Sequence, residues 1–313
     1  MSDKQTSFVS AVIYIHNTEK EIEAFLKTVI NTLENNFENS EIICVNDNSM
    51  DDSVQIIKKV ASVASTASVS ILNMSYYHGI EGAMNAGMDL AIGDFVFEFD
   101  SVVNEFGEDE IMSVYQKALT GYDIVSASPD RKQKLSSKLF YYVFDKFTSL
   151  KYEMYTETFR VLSRRVINRI GSMNKTIPYR KAIYANCGLK TTNMKYHVEK
   201  SSSNNRKDKQ ERRYKRGLAV DTLILFTELG YSFAMTMTFI MIAVAVLTGI
   251  YSVIVFLVGN PVAGWTTTIL FLAFSFFGLF GILTVIIKYL QITVNLVFKR
   301  KRYSFEGIEK LTK

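Results

Sequence analysis

Residues 41–53 read Glu41-Ile42-Ile43-Cys44-Val45-Asn46-Asp47-Asn48-Ser49-Met50-Asp51-Asp52-Ser53. The apolar run predicts a buried strand, and the Asn/Asp/Ser run behind it predicts the loop that ends it. A helix from about Ser53 to Ala61 follows. The same grammar repeats on both sides. Upstream, Phe8 to Ile15 is a β-rich run, and Glu19 to Leu33 carries Ile22, Phe25, Leu26, Val29, Ile30 and Leu33 at helical spacing. Downstream come a strand at Val69–Leu72, a helix from Gly82 to Ala91, and a strand at Phe95-Val96-Phe97-Glu98-Phe99-Asp100. Strands alternating with helices predict an open, mostly parallel α/β sheet. Such sheets collect ligands beyond the carboxyl ends of their strands, where Asp47 and Asp100 both fall.

From about Asn104 the alternation weakens. A helix at Glu108–Thr120, a strand at Asp123–Ala127, a Phe/Tyr-rich helix over about 135–150 and a short strand at Thr158–Leu162 are predicted. Ser201 to Gln210 reads as a linker or loop. Tyr214 to Tyr231 reads as an amphipathic helix lying along a membrane, or equally as a plain surface helix.

Residues 229–287 contain no Asp, Glu, Lys, Arg or His. The stretch exceeds the roughly 20 residues of one bilayer crossing, and Gly259-Asn260-Pro261 divides it into apolar segments of about 233–258 and 265–287. Two spanning helices are the expectation; a buried hairpin in a soluble helical domain is the competing one. Residues 206–313 carry 14 Lys and Arg against 6 Asp and Glu. Basic clusters at 206–216 and 299–302 flank the stretch. They place both flanks on the cytoplasmic side, so the number of spans is even. The same charges suit anionic membrane lipids. No recognition motif for nucleic acid accompanies them. The N-terminus lacks a secretory apolar region, so the first domain is expected in the cytosol. Cys44 and Cys187 form no ligand cluster and are expected to be core thiols.

No Gly-x-Gly-x-x-Gly, P-loop or serine-hydrolase elbow is present, which leaves a carboxylate-centred site. Asp47 suits hydrogen bonding to a base or sugar, or capping of the next helix. Glu98 and Asp100 lie two residues apart on a strand, so their side chains share one face. That pair suits a divalent cation carrying a diphosphate, and strand alternation alone explains it equally well. His16 and His78 follow strands, at a spacing that makes no metal pattern. Arg160 suits a phosphate or a structural ion pair.

The order of these segments resembles the family 2 glycosyltransferases of GT-A fold, over almost the full chain. The resemblance is to the polyprenyl-phosphate and dolichyl-phosphate sugar transferases with two C-terminal membrane helices. Val12-Ile13-Tyr14-Ile15-His16-Asn17-Thr18-Glu19 occupies the place of an opening Val-Ile-Pro-Val-Tyr-Asn-Glu-Glu type motif. Val45 to Ser53 matches a Val-Asn-Asp-Gly-Ser-x-Asp-x-Ser segment that embraces the base. Ser75 to Gly87 looks like an Arg-Asn-Phe-Gly stretch running into a helix, and Thr158-Phe159-Arg160-Val161-Leu162-Ser163-Arg164 resembles an Asp-Phe-Arg-Leu-x-x-Arg acceptor element. Tyr14 replaces the usual proline, Asn48 the glycine, Glu98 the first aspartate of Asp-x-Asp, and Thr158 an aspartate.

The resemblance implies a Rossmann-like GT-A catalytic domain over 1–205 and a basic linker with an interfacial helix over 206–231. Two membrane helices within 232–288 and a basic cytoplasmic tail at 289–313 follow. It implies inverting transfer of a sugar from a UDP- or GDP-linked donor to a polyprenyl phosphate, at the cytoplasmic face of the cell membrane. Tyr14, His16, Asn17, Glu19, Asp47, Ser75, Gly79 and Glu98 are implied for the donor, and Arg160, Arg164 and Arg131 for the acceptor phosphate. Asp100, Arg160 and Thr158 are implied for catalysis, with Mg²⁺ or Mn²⁺ at Asp100 and Glu98. Partners are the donor, the lipid acceptor, anionic lipids and further copies of the chain packed at Gly278 and Gly281, glycines that equally suit ordinary helix filler. The alternatives are transfer to another lipid-linked saccharide, or a degenerate relative acting as a membrane scaffold. A transporter is the weakest, since the apolar stretch contains no charge.

Overall fold

The structure is a computed structural model. It describes residues 4–103, 105–130, 157–172, 179–198, 213–214, 216–221, 233, 235–241, 243–244, 247, 250, 264–298 and 303–312. The chain divides into two compact units. One is Met1–Asp145 with Leu150–Ala219 and Arg300–Lys313; the other is Lys146–Ser149 with Val220–Lys299.

The first unit is an α/β sheet. Its elements are β1 (Val9–Ile15), α1 (Ile22–Asn36), β2 (Ser40–Asn46), α2 (Ser53–Ala61), β3 (Ser68–Met74), α3 (Gly79–Leu90), β4 (Phe95–Phe99) and α4 (Glu108–Leu119). Then follow β5 (Ile124–Pro129), β6 (Phe159–Ser163), α5 (Arg164–Ser172), α6 (Arg180–Asn186), β7 (Thr191–Tyr196) and, from the last residues of the chain, β8 (Phe305–Lys310). The strand order is β7-β5-β6-β4-β1-β2-β3-β8. Strands β1, β2, β3 and β4 run parallel to their neighbours, whereas β6 and β8 enter antiparallel. The sheet is therefore mixed and mostly parallel, as the alternation predicts.

Every residue of β1 is buried, because helices cover both faces. Val9, Ala11, Ile13 and Ile15 join the core formed with α1, α2 and α4. Val12 and Tyr14, one step out of phase, join the core formed with α3. Gly87 lets α3 lie close on the sheet, since a Cβ there would overlap the Val12 and Val45 side chains. Cys44 and Cys187 are free, buried thiols, and burial pushes Cys44 up to about 12.

The order of strand addition reverses at β1, while the strands stay parallel. Strands β2 and β3 build outward on one side and β4 on the other, so the carboxyl ends of β1 and β4 border a topological switch point, where such sheets form a ligand crevice.

Four elements differ from expectation. The sequence pattern predicts none of α5, α6 and β7, and the presumed tail contributes β8, with Ser70 opposite Lys310 and Leu72 opposite Ile308. The expected helix at 135–150 and linker at 201–210 lie outside the described residues, as do Arg131 and most of the basic flank.

In the second unit, α7 (Trp265–Phe298) has 34 residues. Taken over the described residues alone, no helix is long and apolar enough to cross a membrane. At 34 residues α7 is longer than one crossing needs. Its apolarity over 265–287 is a property of the sequence. Gly278 is buried, and a Cβ there would approach Met241 Sδ at 2.7 Å. This glycine therefore serves close packing within the chain, while Gly281 meets open space. Lys288 and Asp221, which lie beyond opposite ends of the uncharged stretch, form an ion pair at 2.9 Å.

Candidate functional site

On β4, Phe97 and Phe99 point into the α1/α4 core, so Glu98 must point the other way, toward α3. It is fully buried there. A lone buried carboxylate would be costly, and the fold answers it with cations. The cross-strand partner of Glu98 on β6 is Arg160. Arg160 Nη1 donates to Glu98 Oε2 at 2.6 Å, its Nη2 to Asp100 Oδ2 at 2.7 Å, and its Nε to Glu157 Oε2 at 3.1 Å. From the start of α6, Arg180 mirrors it. Its Nη1 donates to Glu98 Oε1 and its Nη2 to Asp100 Oδ1, both at 2.7 Å, and its Nε to Glu81 Oε2 of α3 at 3.0 Å. Tyr184 adds its hydroxyl to Glu98 Oε1 at 2.7 Å, and Lys181 lies 3.9 Å from Glu157.

Burial alone would raise Asp100, but Arg160 and Arg180 outweigh it and hold this carboxyl well below the usual carboxylate range. Burial works against the charged forms of both guanidiniums, and the surrounding carboxylates more than restore them. The Tyr184 phenol is pushed up by burial and by Glu98.

A second cluster joins the carboxyl ends of β1, β2 and β3. Asp47 is fully buried. Its Oδ2 accepts from the Tyr14 hydroxyl at 3.0 Å and its Oδ1 from the His78 backbone N–H at 2.7 Å. Its carbonyl lies 2.7 Å from His16 Nδ1. Burial dominates these bonds, so the Asp47 carboxyl is raised. Asn17 and Asn48 adopt positive φ (50° and 56°), which asparagine tolerates better than most side chains. Asn17 Oδ1 accepts from Met50 N–H at 2.8 Å, and the Glu19 N–H donates to Asp51 Oδ2 at 2.9 Å. These loops are thus stitched to one another. At the start of α3, Gly79 has φ +75°, and a Cβ there would overlap the Tyr214 ring.

Of the residues expected at a donor site, Tyr14, His16, Asn17, Glu19, Asp47 and Gly79 gather in these loops. Ser75 instead faces the C-terminal segment, with its N–H on the Ser304 carbonyl at 3.1 Å. Thr158 lies at the Asp100 end of the sheet, 2.7 Å from the Tyr196 hydroxyl.

Arg164 is a correction. Strand β6 runs antiparallel to β4, so four residues carry Arg164 roughly 13 Å from Arg160 toward the opposite edge. There its guanidinium donates to the Gly93 and Ala91 carbonyls, both at 2.9 Å. Arg160 is a correction too, since its buried guanidinium is committed to carboxylates and does not present itself to an acceptor phosphate.

The expected metal pair does not fit a metal. All four oxygens of Glu98 and Asp100 accept guanidinium N–H groups. Among the described residues no cluster of three or more His, Cys, Asp or Glu could hold an ion. Sequence reasoning missed Arg180, Glu81, Glu157 and Tyr184. The one available signal was Glu98 itself, an acid inside an aromatic strand that requires buried cations.

An uncharacterized glycosyltransferase of Synechocystis sp. is 30% identical over 190 residues, 59% of this chain and 59% of that protein. The undecaprenyl-phosphate 4-deoxy-4-formamido-L-arabinose transferase of Aeromonas hydrophila is 29% identical over 173 residues, 54% of this chain and 52% of that protein. The matches thus span less than two thirds of either relative. A mannosyltransferase structure from Pyrobaculum calidifontis, in complex with GDP-Man and Mn²⁺, superposes with a TM-score of 0.47 at 13% identity, covering 70% of this chain and 63% of that one. Residues 10–171, which include both acid clusters of the crevice, match glycosyl transferase family 2. The chain belongs to that family.

Proposed function

We propose that the chain transfers a sugar from a nucleotide-sugar to a polyprenyl phosphate at the cytoplasmic face of a membrane, with inversion at the sugar C1. The observation that carries this reading is the gathering of polar loops after β1 and β2, and of Asp100 after β4, at the switch point of a family 2 domain. An acceptor phosphate is already anionic and attacks C1 directly. The new C1–O bond forms as the C1–O bond to the nucleoside diphosphate breaks, so no strong general base is needed and Thr158 is no handicap. The chain's own residues hold the loops after β1, β2 and β3 in register and fix Asp100 beside them.

A lipid acceptor accords with three observations. A relative 29% identical is named for undecaprenyl phosphate. The uncharged stretch has the length of two crossings. Finally, the chain leaves the catalytic unit at residue 219 and re-enters it at residue 300. Because both ends of the excursion attach to one folded unit, any crossings it makes must be even in number. The Lys288–Asp221 pair fits a hairpin whose ends return to one level.

The test is incubation of the reconstituted full chain with undecaprenyl phosphate and a panel of labelled UDP- and GDP-sugars. Label from one donor is expected in the lipid fraction. Transfer only to another lipid-linked saccharide would replace the acceptor. Absence of both transfer and nucleotide binding would favour a scaffold, the reading that the fully paired carboxylates of Glu98 and Asp100 also suit.

A further inference from the structure

We infer that the donor site works without a divalent cation, and that Arg180 is the positioning residue that makes it so. This rests on the sugar-transfer reading above. In the enzymes this chain resembles, the places of Glu98 and Asp100 belong to a metal-binding acid pair. Here two guanidiniums already sit between these acids, each bridging both of them at 2.6–2.7 Å.

The arginines are not surface side chains that swing aside. Arg160 and Arg180 are 0% and 2% exposed. Each is held at its third nitrogen by a further carboxylate, Glu157 or Glu81. Arg180 is also fixed through its backbone, whose N–H donates to Glu81 Oε2 at 2.9 Å. A metal ion at Asp100 would either share its oxygens with two guanidiniums of like charge or expel one and strand a buried cation beside its remaining partner, and both are strongly unfavourable. Glu98 is more firmly closed, since Tyr184 adds another donor to it.

The cations that face Glu98 and Asp100 are therefore supplied by the protein itself. Arg180 links α3, β4 and α6 through Glu81, Glu98 and Asp100. It thereby fixes the end of β4 against the helix that follows the third donor loop. Arg160 does the same between β4 and β6.

The experiment titrates uridine diphosphate and guanosine diphosphate calorimetrically onto the full chain in lipid nanodiscs, once with excess EDTA and once with excess Mn²⁺. For whichever nucleotide binds, affinities within about threefold of each other are expected, and a loss of about tenfold or more in EDTA overturns the inference. Independently, Mn²⁺ is titrated onto the nucleotide-free protein and followed by electron paramagnetic resonance. The signal of the free ion is expected; tight binding overturns the inference even where nucleotide binds. Arg180→Gln, confirmed as folded by its melting transition, is expected to acquire Mn²⁺ binding and EDTA-sensitive nucleotide affinity. A folded variant unchanged in both respects shows that the guanidinium is not what excludes the ion, and also overturns the inference. If the variant does not fold, the two wild-type measurements decide by themselves. Failure of both nucleotides to bind under either condition removes the sugar-transfer reading, and the inference with it.

Discussion

Two buried acid clusters lie at the carboxyl ends of strands that flank β1, and they are satisfied in opposite ways. Asp47 is held by a phenol and a backbone N–H, both neutral, and its carboxyl is raised. Asp100 is held by two guanidiniums and its carboxyl is lowered. The first arrangement is a hinge pin for three loops. The second is a cross-linked charge lattice joining β4, β6, α3 and α6. The difference teaches that an acid at a strand end identifies a site only after its partners are known. Here both acids that invite a ligand reading are already engaged by the chain.

The largest expected break falls on the lattice. Arg160→Met leaves Glu98, Asp100 and Glu157 short of a buried cation and should cost about 3–5 kcal/mol in denaturant unfolding. Adding Glu98→Leu should recover part of that loss, because the second change removes one stranded charge; no recovery would mean that the two residues are not coupled. The hinge pin should be weaker. Asp47→Ala should lose about 1–3 kcal/mol, and Asp47→Asn less, since an amide still accepts the His78 N–H.

Smaller again, Gly79→Ala should lose about 1 kcal/mol from its positive φ, plus whatever Tyr214 must give in moving. In the Tyr214→Ala background only the backbone part should remain. The finest test is the sign of a slope. A lowered Asp100 contributes stability above its unfolded value of about 3.9 and loses it as pH falls, so Asp100→Asn should close its gap to wild type in acid. A raised Asp47 contributes below about 3.9 and loses that contribution as pH rises, so Asp47→Asn should gain on wild type as pH rises from there. Slopes of the same sign in pH-dependent denaturation would undo the contrast between the clusters.

Much of the sheet was legible because its signals are local. The apolar runs of β1 to β4 and the helical spacing from Ile22 to Leu33 each lie within one window. What escaped was non-local. Phe305-Glu306-Gly307-Ile308-Glu309-Lys310 is half charged and exposed, and only β3, far upstream, makes it a strand. Arg180 sits in no motif and gains its meaning from acids on α3 and β4. Arg164 seemed to share a site with Arg160 because four residues look close in sequence, but an extended strand carries them apart. For Arg160, the structural ion pair was the better of the two readings.

β8 also sets a schedule. The Val69 and Leu311 backbones, and the Thr312 hydroxyl, close an edge whose inner strand is synthesised well before its outer strand. Until the ribosome reaches residue 305, β3 presents unpaired N–H and C=O groups. A chain stopped at residue 219 would keep that open edge permanently, and would be expected to aggregate where the full chain does not. The α/β unit is therefore finished only after the apolar excursion has been made, which ties its completion in time to the segment proposed to hold it at the membrane.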